Sequence, residues 1–241
     1  MIEVRHLKKS YSGHGVVVED LSLQIQEGEC LVLVGTSGCG KSTLLKMVNG
    51  LIRPDEGTVL IRKEPLPYDN LIPVRRQIGY VIQQGGLFPH LTVFQNISLL
   101  ARLEKWSEGK IQERVRQLLE LVGLASGRYE SKFPSELSGG EQQRVGVARA
   151  LMLNPPIVLM DEPFGALDPI TRRGIQNDFL KLQGRLTGRK TIVFVTHDME
   201  EAVLMANRIV VMDRGQIVQI GTAGEIQKNP KTDFVADFFS K

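Results

Sequence analysis

The sequence predicts an α/β protein with a parallel-sheet core, an N-terminal antiparallel β subdomain and an inserted helical subdomain. Short apolar runs typical of strands alternate with helical patterns along most of the chain, which favours a parallel core. The opening residues contain several such runs without a helix between them. Apolar residues then recur at helical spacing between about 92 and 154. We therefore expect one domain, 1–241, with a core formed by 1–91 and 155–241 and a helical subdomain at 92–154.

The strands of this prediction are short apolar or alternating segments bounded by turn residues. We predict them at 2–7, 21–25, 30–34, 57–61, 78–82, 157–160, 191–195, 208–212 and 216–220. The helices follow from apolar residues at helical spacing and from capping residues. We predict them at 41–49, 139–154, 169–187 and 199–205, with two short ones around Pro230.

Composition excludes several classes of function. The chain has 30 Lys and Arg against 27 Asp and Glu, so its net charge of +3 does not indicate a nucleic-acid partner. The two cysteines, Cys30 and Cys39, form no disulfide framework and favour a reducing, cytosolic setting. The first residues do not resemble a signal peptide, and no run of about 18 apolar residues exists. We expect any membrane role to come through a partner.

A glycine-rich loop lies between the predicted strand 30–34 and the helix that follows it. Its sequence is Gly35-Thr36-Ser37-Gly38-Cys39-Gly40-Lys41-Ser42, which matches the phosphate-loop pattern in the required setting. Backbone N–H groups of such a loop point at phosphate oxygens, and the helix dipole favours the anion. Lys41 is expected to reach the β- and γ-phosphates, and the Ser42 hydroxyl to bind Mg²⁺. The alternative is a chance glycine-rich turn.

Two acids follow the apolar strand 157–160. Asp161 is expected to hold Mg²⁺, and Glu162 to accept a proton from the attacking water or to orient it. Carboxylates at the C-terminal end of a buried strand lie where ligands of open α/β sheets bind. The alternative is a solvated turn. His197 follows strand 191–195 and is expected at the same edge, although a lone histidine is often only structural.

A third motif distinguishes this chain from a generic nucleotide-binding protein. Leu137-Ser138-Gly139-Gly140-Glu141-Gln142-Gln143 resembles the signature of ATP-binding cassette (ABC) proteins, with Glu141 where the minimal pattern has Gln. Ser138 and Glu141 also fit a capping box at the start of helix 139–154. Both interpretations can hold, because a capped helix N-terminus without bulky side chains suits a phosphate group.

The resemblance to ABC ATPases extends over about residues 2–222 and implies a P-loop NTPase (RecA-like) core. It also implies a dimer with two-fold symmetry in which the signature of one subunit closes over ATP on the other. Gly165-Ala166-Leu167-Asp168 resembles the loop that crosses this interface, although Asp168 also suits a helix N-cap. By the same resemblance, His197 is the switch histidine, and Gln83 senses Mg²⁺ and the γ-phosphate. The expected ATP contacts are Tyr11 on adenine, Gly35 to Thr43, Ser138 to Glu141 and Asp168.

Three classes of protein compete for this cassette: a transporter subunit, a soluble ABC protein of DNA repair or translation, and a P-loop kinase. The short span 83–137 lacks the coiled coil that repair proteins carry. The chain has one cassette, whereas translation proteins usually have two. A kinase would leave the signature motif unexplained. The resemblance therefore favours a transporter ATPase at the cytoplasmic face of a membrane. Its expected partners are a permease and, indirectly, a substrate-binding protein.

Local stretches around the motifs narrow this resemblance to one branch of importers. They are Lys46 to Ile52, Ile78 to Gln84, Phe88 to Thr92 and Phe164 to Arg172. Together they look like the branch that imports osmoprotectants such as glycine betaine, choline, carnitine and proline. An importer of amino acids or of another small solute is the alternative.

Overall fold

In the computed structural model, the described residues are 1–13, 15–82, 86–165, 172, 174, 176 and 190–239. The chain divides into two compact units. The first comprises Met1–Arg75 and Arg189–Lys241, and the second comprises Arg76–Gly188.

The first unit contains an antiparallel sheet with the strand order β2-β1-β4-β5. Its strands are β1 (Ile2–Tyr11), β2 (Gly15–Ile25), β4 (Glu56–Ile61) and β5 (Glu64–Pro65). Ile2 pairs with Ile25 on one side and with Ile61 on the other, so the three apolar side chains lie side by side and are buried. This pairing confirms that the N-terminal β-rich segment is antiparallel.

The first unit also contains strands that run parallel to one another. They are β3 (Cys30–Gly35), β8 (Thr191–Val195) and β9 (Arg208–Asp213), and β10 (Gln216–Gly221) pairs antiparallel with β9. β3 lies between β8 and β9 and pairs parallel with both. Every residue of β3 and β8 is buried, as the apolar runs predict for central strands.

Five helices of the described chain belong to the first unit. They are α1 (Lys41–Val48), α2 (Ile72–Arg75), α7 (Met199–Met205), α8 (Ala223–Lys228) and α9 (Asp233–Phe239). α1 begins directly after the glycine-rich loop and packs on β2, β3 and β8. α8 and α9 lie on either side of Pro230, as predicted.

The second unit combines a parallel strand pair with helices. The strands are β6 (Ile78–Val81) and β7 (Ile157–Asp161), which pair from Ile78 with Ile157 to Val81 with Met160. The helices among its described residues are α3 (Val93–Leu103), α4 (Glu108–Leu121), α5 (Ser126–Tyr129) and α6 (Gly139–Ala150), and a 3₁₀ turn lies at Pro134–Glu136. α3 and α4 both pack against α6. No described helix has the length and apolar character needed to cross a membrane.

The structure corrects several predicted bounds. β1 and β2 are longer than predicted because bulges interrupt the alternation of their residues; His6 and Asp20 have φ of 50° and 47° in these irregular stretches. α6 ends at Ala150, so the predicted end at 154 is wrong. Beyond this residue the amides of Met152 and Asn154 donate to carbonyl oxygens three residues back, at 3.2 and 2.9 Å, and Asn154 has a left-handed φ of 52° before Pro155. The predicted helix 169–187 lies almost entirely outside the described residues.

Candidate functional site

The glycine-rich loop leaves the C-terminal end of β3 in a conformation that needs glycine. Gly35, Gly38 and Gly40 have φ of 149°, 79° and 103°. A Cβ on Gly35 would lie 2.1 Å from the carbonyl oxygen of Met212, and one on Gly40 would lie 2.6 Å from that of Val17. The loop therefore curls tightly over the end of the sheet, as a phosphate loop requires.

Lys41 places its ammonium group inside this curl. The side chain is only 6% exposed, and Nζ donates to the carbonyl oxygens of Gly35 at 2.9 Å and Thr36 at 2.8 Å. Nζ also lies 3.6 Å from Sγ of Cys39, which is itself buried. Since Thr36, Ser37 and Gly38 are exposed, the loop offers backbone groups to solvent above a buried positive charge.

The N-terminus of α1 fits an anion. Its N-cap residue is Gly40, which has no side chain to cap the helix, and no acidic residue lies in the first turn. The positive end of the helix dipole therefore faces no carboxylate of its own first turn. Ser42 and Thr43 are half-buried in this turn and carry hydroxyl groups, which are oxygen ligands suited to Mg²⁺. These features fit a nucleoside triphosphate with its magnesium ion.

His197 lies at the same edge of the sheet as the phosphate loop. Leu33 of β3 pairs with Val195 of β8, and the amide of Thr196 donates to the carbonyl oxygen of Leu33 at 3.1 Å. His197 is exposed immediately beyond this point. The predicted placement of His197 at the end of a core strand is therefore correct.

The residues on either side hold His197 in place. The Thr196 hydroxyl donates to the buried carboxylate of Glu201 and accepts from the amide of Asp198 at 3.0 Å. The Asp198 side chain then caps α7 by accepting from the amides of Glu200 and Glu201. His197 thus lies between a buried strand and a capped helix.

Asp161 and Glu162 lie at the C-terminal end of β7 in very different settings. Asp161 is 6% exposed, and burial together with the Asp161 charge raises the pKa of Tyr80, on the paired strand, to about 12. Glu162 is half-buried and has a φ of 44°, a conformation that non-glycine residues rarely adopt. Its carbonyl oxygen accepts from the amide of Gly165 at 3.2 Å. Backbone strain of this kind is typical of functional positions.

The signature segment begins α6 with a complete capping box, which confirms the local interpretation of Ser138 and Glu141. The Ser138 hydroxyl accepts from the Glu141 amide at 3.3 Å, and the Glu141 carboxylate accepts from the Ser138 amide at 2.8 Å. Gly139 and Gly140 form the first turn between them. Tyr129 lowers the pKa of the Glu141 carboxyl by donating a hydrogen bond to it, and the Ser138 amide adds to this effect.

The remaining predicted site residues are placed only in part. Tyr11 is the last residue of β1, is half-buried and has the Lys9 ammonium group 5.7 Å from its ring centroid. Gln83 and Asp168 lie outside the described residues. The first unit thus holds Tyr11, the phosphate loop and His197, and the second unit holds Asp161, Glu162 and the signature.

Sequence reasoning missed two polar contacts in the second unit. Tyr129 reaches Glu141 from α5, and Asn96 of α3 binds backbone groups of the preceding loop. Neither residue belongs to a motif. Asn96 lies on the apolar face of the amphipathic helix α3, and its amide is fully buried. A polar residue at an otherwise apolar position of the helical pattern is the sequence signal that could have identified it.

A statistical model of the ABC transporter family matches residues 18–165, and the chain belongs to this family. The chain is 52% identical over its full length to the glycine betaine/carnitine/choline transport ATP-binding protein OpuCA of Bacillus subtilis (strain 168). It is 48% identical over its full length to the glycine betaine uptake system ATP-binding protein YehX of Escherichia coli (strain K12). It spans 63% of the length of OpuCA and 77% of that of YehX. The predicted family and its osmoprotectant-importer branch are confirmed as a resemblance.

The fold is shared with solved ABC cassettes. The dimeric post-hydrolysis state of the ATP-binding cassette MJ0796 bound to ADP and Pi matches with a TM-score of 0.83 and 34% identity. The match covers 92% of this chain and 98% of that one. The predicted P-loop NTPase fold class is thereby confirmed.

Proposed function

We propose that this chain is the ATP-hydrolysing subunit of an ABC importer. The observation that carries the proposal is the phosphate loop, in which a buried Lys41 ammonium group lies under exposed backbone at the uncapped N-terminus of α1. The signature at the N-terminus of α6 assigns the loop to a cassette that works as a dimer. In this proposal residues 1–91 and 155–241 bind the nucleotide, and 92–154 carry the signature.

Each site residue has a separate chemical role in this proposal. Lys41 and the loop amides bind the β- and γ-phosphates, and Tyr11 stacks on adenine. Glu162 accepts a proton from the attacking water, and His197 contacts the γ-phosphate. Mg²⁺, when bound by Ser42, Gln83 and Asp161, neutralises charge on the phosphates.

The proposed partners follow from the same family. A second copy of the chain supplies Ser138 to Glu141, with Asp168 at the interface, so that two ATP molecules lie between the subunits. The named relatives are transport proteins, which supports a permease that attaches this subunit to the cytoplasmic face of a membrane. A substrate-binding protein would act through that permease.

The proposed cargo is a quaternary-ammonium osmoprotectant. This is supported by the names of the relatives, which specify glycine betaine, carnitine and choline. Such a cargo has a permanent charge and no N–H donor. We therefore expect a partner binding protein to hold it in a cage of aromatic faces.

The hydrolysis step can be tested at Glu162. Glu162→Gln keeps the side-chain shape but removes the base, so ATP should still bind while turnover falls by at least about a hundredfold. Phosphate release would measure turnover, and size-exclusion chromatography with ATP should show a stable dimer of the variant. Turnover close to that of the unsubstituted chain would contradict the assigned role.

The cargo can be tested by uptake in cells. Deleting the gene should abolish uptake of labelled glycine betaine, choline or carnitine in high-osmolarity medium, and restoring it should recover uptake. Restoration with the Glu162→Gln variant is the matched control and should fail. Unchanged uptake of all three solutes in a strain without a redundant system would favour the alternative, an importer of amino acids or another small solute.

A further inference from the structure

Both carboxylate oxygens of Glu141, the acidic residue in the signature, are engaged within the second unit. Oε2 accepts from the Ser138 amide at 2.8 Å, and Oε1 accepts from the Tyr129 hydroxyl at 2.6 Å. Distances this short are typical of hydrogen bonds to an ionised acceptor. The carboxylate is therefore held in one orientation by two donors, one from its own capping box and one from α5.

Tyr129 is itself fixed by neighbouring cations. The Lys132 ammonium group lies 4.7 Å from the Tyr129 ring centroid, and the Arg128 guanidinium lies 5.8 Å from it. Both distances fall within the range of cation–π attraction. Lys132 also contributes to lowering the pKa of Glu141, so the acid and the ring share one positively charged neighbour.

This arrangement addresses an electrostatic problem in the proposed function, on which the inference rests. In the proposed dimer the N-terminus of α6 faces the γ-phosphate of the ATP on the partner's phosphate loop. A carboxylate in the first turn of that helix opposes the attraction between the helix dipole and the phosphate unless it is directed elsewhere. Gln, the residue of the minimal signature pattern, carries no such charge.

We propose that Tyr129 is a positioning residue that holds the Glu141 carboxylate against Ser138 and away from the nucleotide of the partner subunit. Without the Tyr129 hydroxyl, the acid would still cap α6 through Ser138, but Oε1 would lose its donor. The negative charge of Glu141 would then be free to move toward the γ-phosphate that the N-terminus of α6 faces in the proposed dimer. The hydroxyl therefore matters only while residue 141 is charged.

A double-mutant cycle tests this dependence. Tyr129→Phe removes the hydroxyl and retains the ring between Lys132 and Arg128. It should raise the KM for ATP about fivefold, the effect expected for the loss of one hydrogen bond of typical net strength, with kcat little changed. In the Glu141→Gln background the same substitution should change KM by less than about 1.5-fold, because the charge to be positioned is gone.

A second measurement separates positioning from misfolding. Binding of a fluorescent ATP analogue to the monomeric chain should be equal in the unsubstituted protein and in Tyr129→Phe, because Tyr129 acts on the partner's nucleotide. Weaker binding to the monomer, an equal rise in KM in both backgrounds, or an unchanged KM in Tyr129→Phe would each overturn the inference. An unsubstituted chain that hydrolyses no ATP would overturn the proposed function as well.

Discussion

Asn96 offers the sharpest test of how the second unit holds the loop before α3. The residue is 0% exposed, and its Nδ2 group donates to the carbonyl oxygens of Phe88, Leu91 and Thr92 at 3.1, 2.9 and 3.0 Å. Its Oδ1 atom accepts from the amide of Phe88 at 2.8 Å. One side chain thus contacts four backbone groups. The substitution Asn96→Asp would keep the Oδ1 acceptor but replace the Nδ2 donor with a second oxygen atom.

The expected cost follows from this geometry. The two hydrogens on Nδ2 are shared among the three carbonyl oxygens, and each net hydrogen bond contributes about 0.5–1.5 kcal/mol, so losing this donor should lower the free energy of unfolding by about 1–3 kcal/mol. A carboxylate facing three carbonyl oxygens without solvent adds to this cost. The substitution should therefore be far more damaging than its nearly unchanged shape suggests.

The effect should also depend on pH. Burial and the facing carbonyl oxygens would raise the pKa of the introduced Asp above its unfolded value of about 3.9. The folded variant then binds more protons than the unfolded chain, so its stability should be greatest below pH about 4 and fall as pH rises through the raised pKa. The deficit relative to the unsubstituted chain should be largest at neutral pH.

The single tryptophan, Trp106, makes the assay local. Its amide donates to the carbonyl oxygen of Ala101 at 3.0 Å just beyond α3, so its fluorescence during urea unfolding reports on this unit. Ser98→Ala is the matched control, since Ser98 is equally buried on α3 but its hydrogen bonds are long: it donates to the Gln95 carbonyl oxygen at 3.5 Å and accepts from Arg102 Nε at 3.4 Å. The substitution should cost less than about 1 kcal/mol. A loss below about 1 kcal/mol for Asn96→Asp at neutral pH would refute the reasoning.

Two further predictions concern the loop and the signature. Gly40→Ala should abolish ATP binding and lower the melting temperature, because its Cβ would lie 2.6 Å from the Val17 carbonyl oxygen at a φ of 103°. Gly38 is the matched control, because it has a φ of 79° but nothing within 4 Å of an added Cβ. Gly38→Ala should cost only about 1 kcal/mol of backbone strain, and losses of ATP binding and melting temperature equal to those of Gly40→Ala would contradict the steric argument. The hydrogen bond from the Tyr129 hydroxyl is the main cause that lowers the pKa of the Glu141 carboxyl from 4.5. The ionised Glu141 therefore stabilises the folded chain above that pH, and this stabilisation is lost as the pH falls through the lowered pKa. In urea unfolding the stability difference between the unsubstituted chain and Tyr129→Phe should therefore shrink below pH 4.5, and a constant difference down to pH about 3 would contradict this.

Features that depend on neighbouring residues were predictable from the sequence. The strand and helix around Gly35 to Ser42 and the capping box of Ser138 and Glu141 involve residues within a few positions of one another. Alternation and helical spacing likewise located the central strands, because burial on both faces leaves a continuous apolar run. Predictions that failed include bounds such as the end of α6, where three-residue turns replace the helix before the left-handed Asn154.

By itself, the sequence determined the fold class, the family and the identity of the motifs, because local patterns and short-range hydrogen bonds encode them. Only the tertiary structure decided which distant groups meet them. The Tyr129 hydroxyl reaches Glu141 across 12 residues, and the left-handed conformation of Glu162 is imposed where a buried strand turns away from the sheet. Such contacts depend on how helices and strands pack, and packing brings together residues that no spacing rule relates.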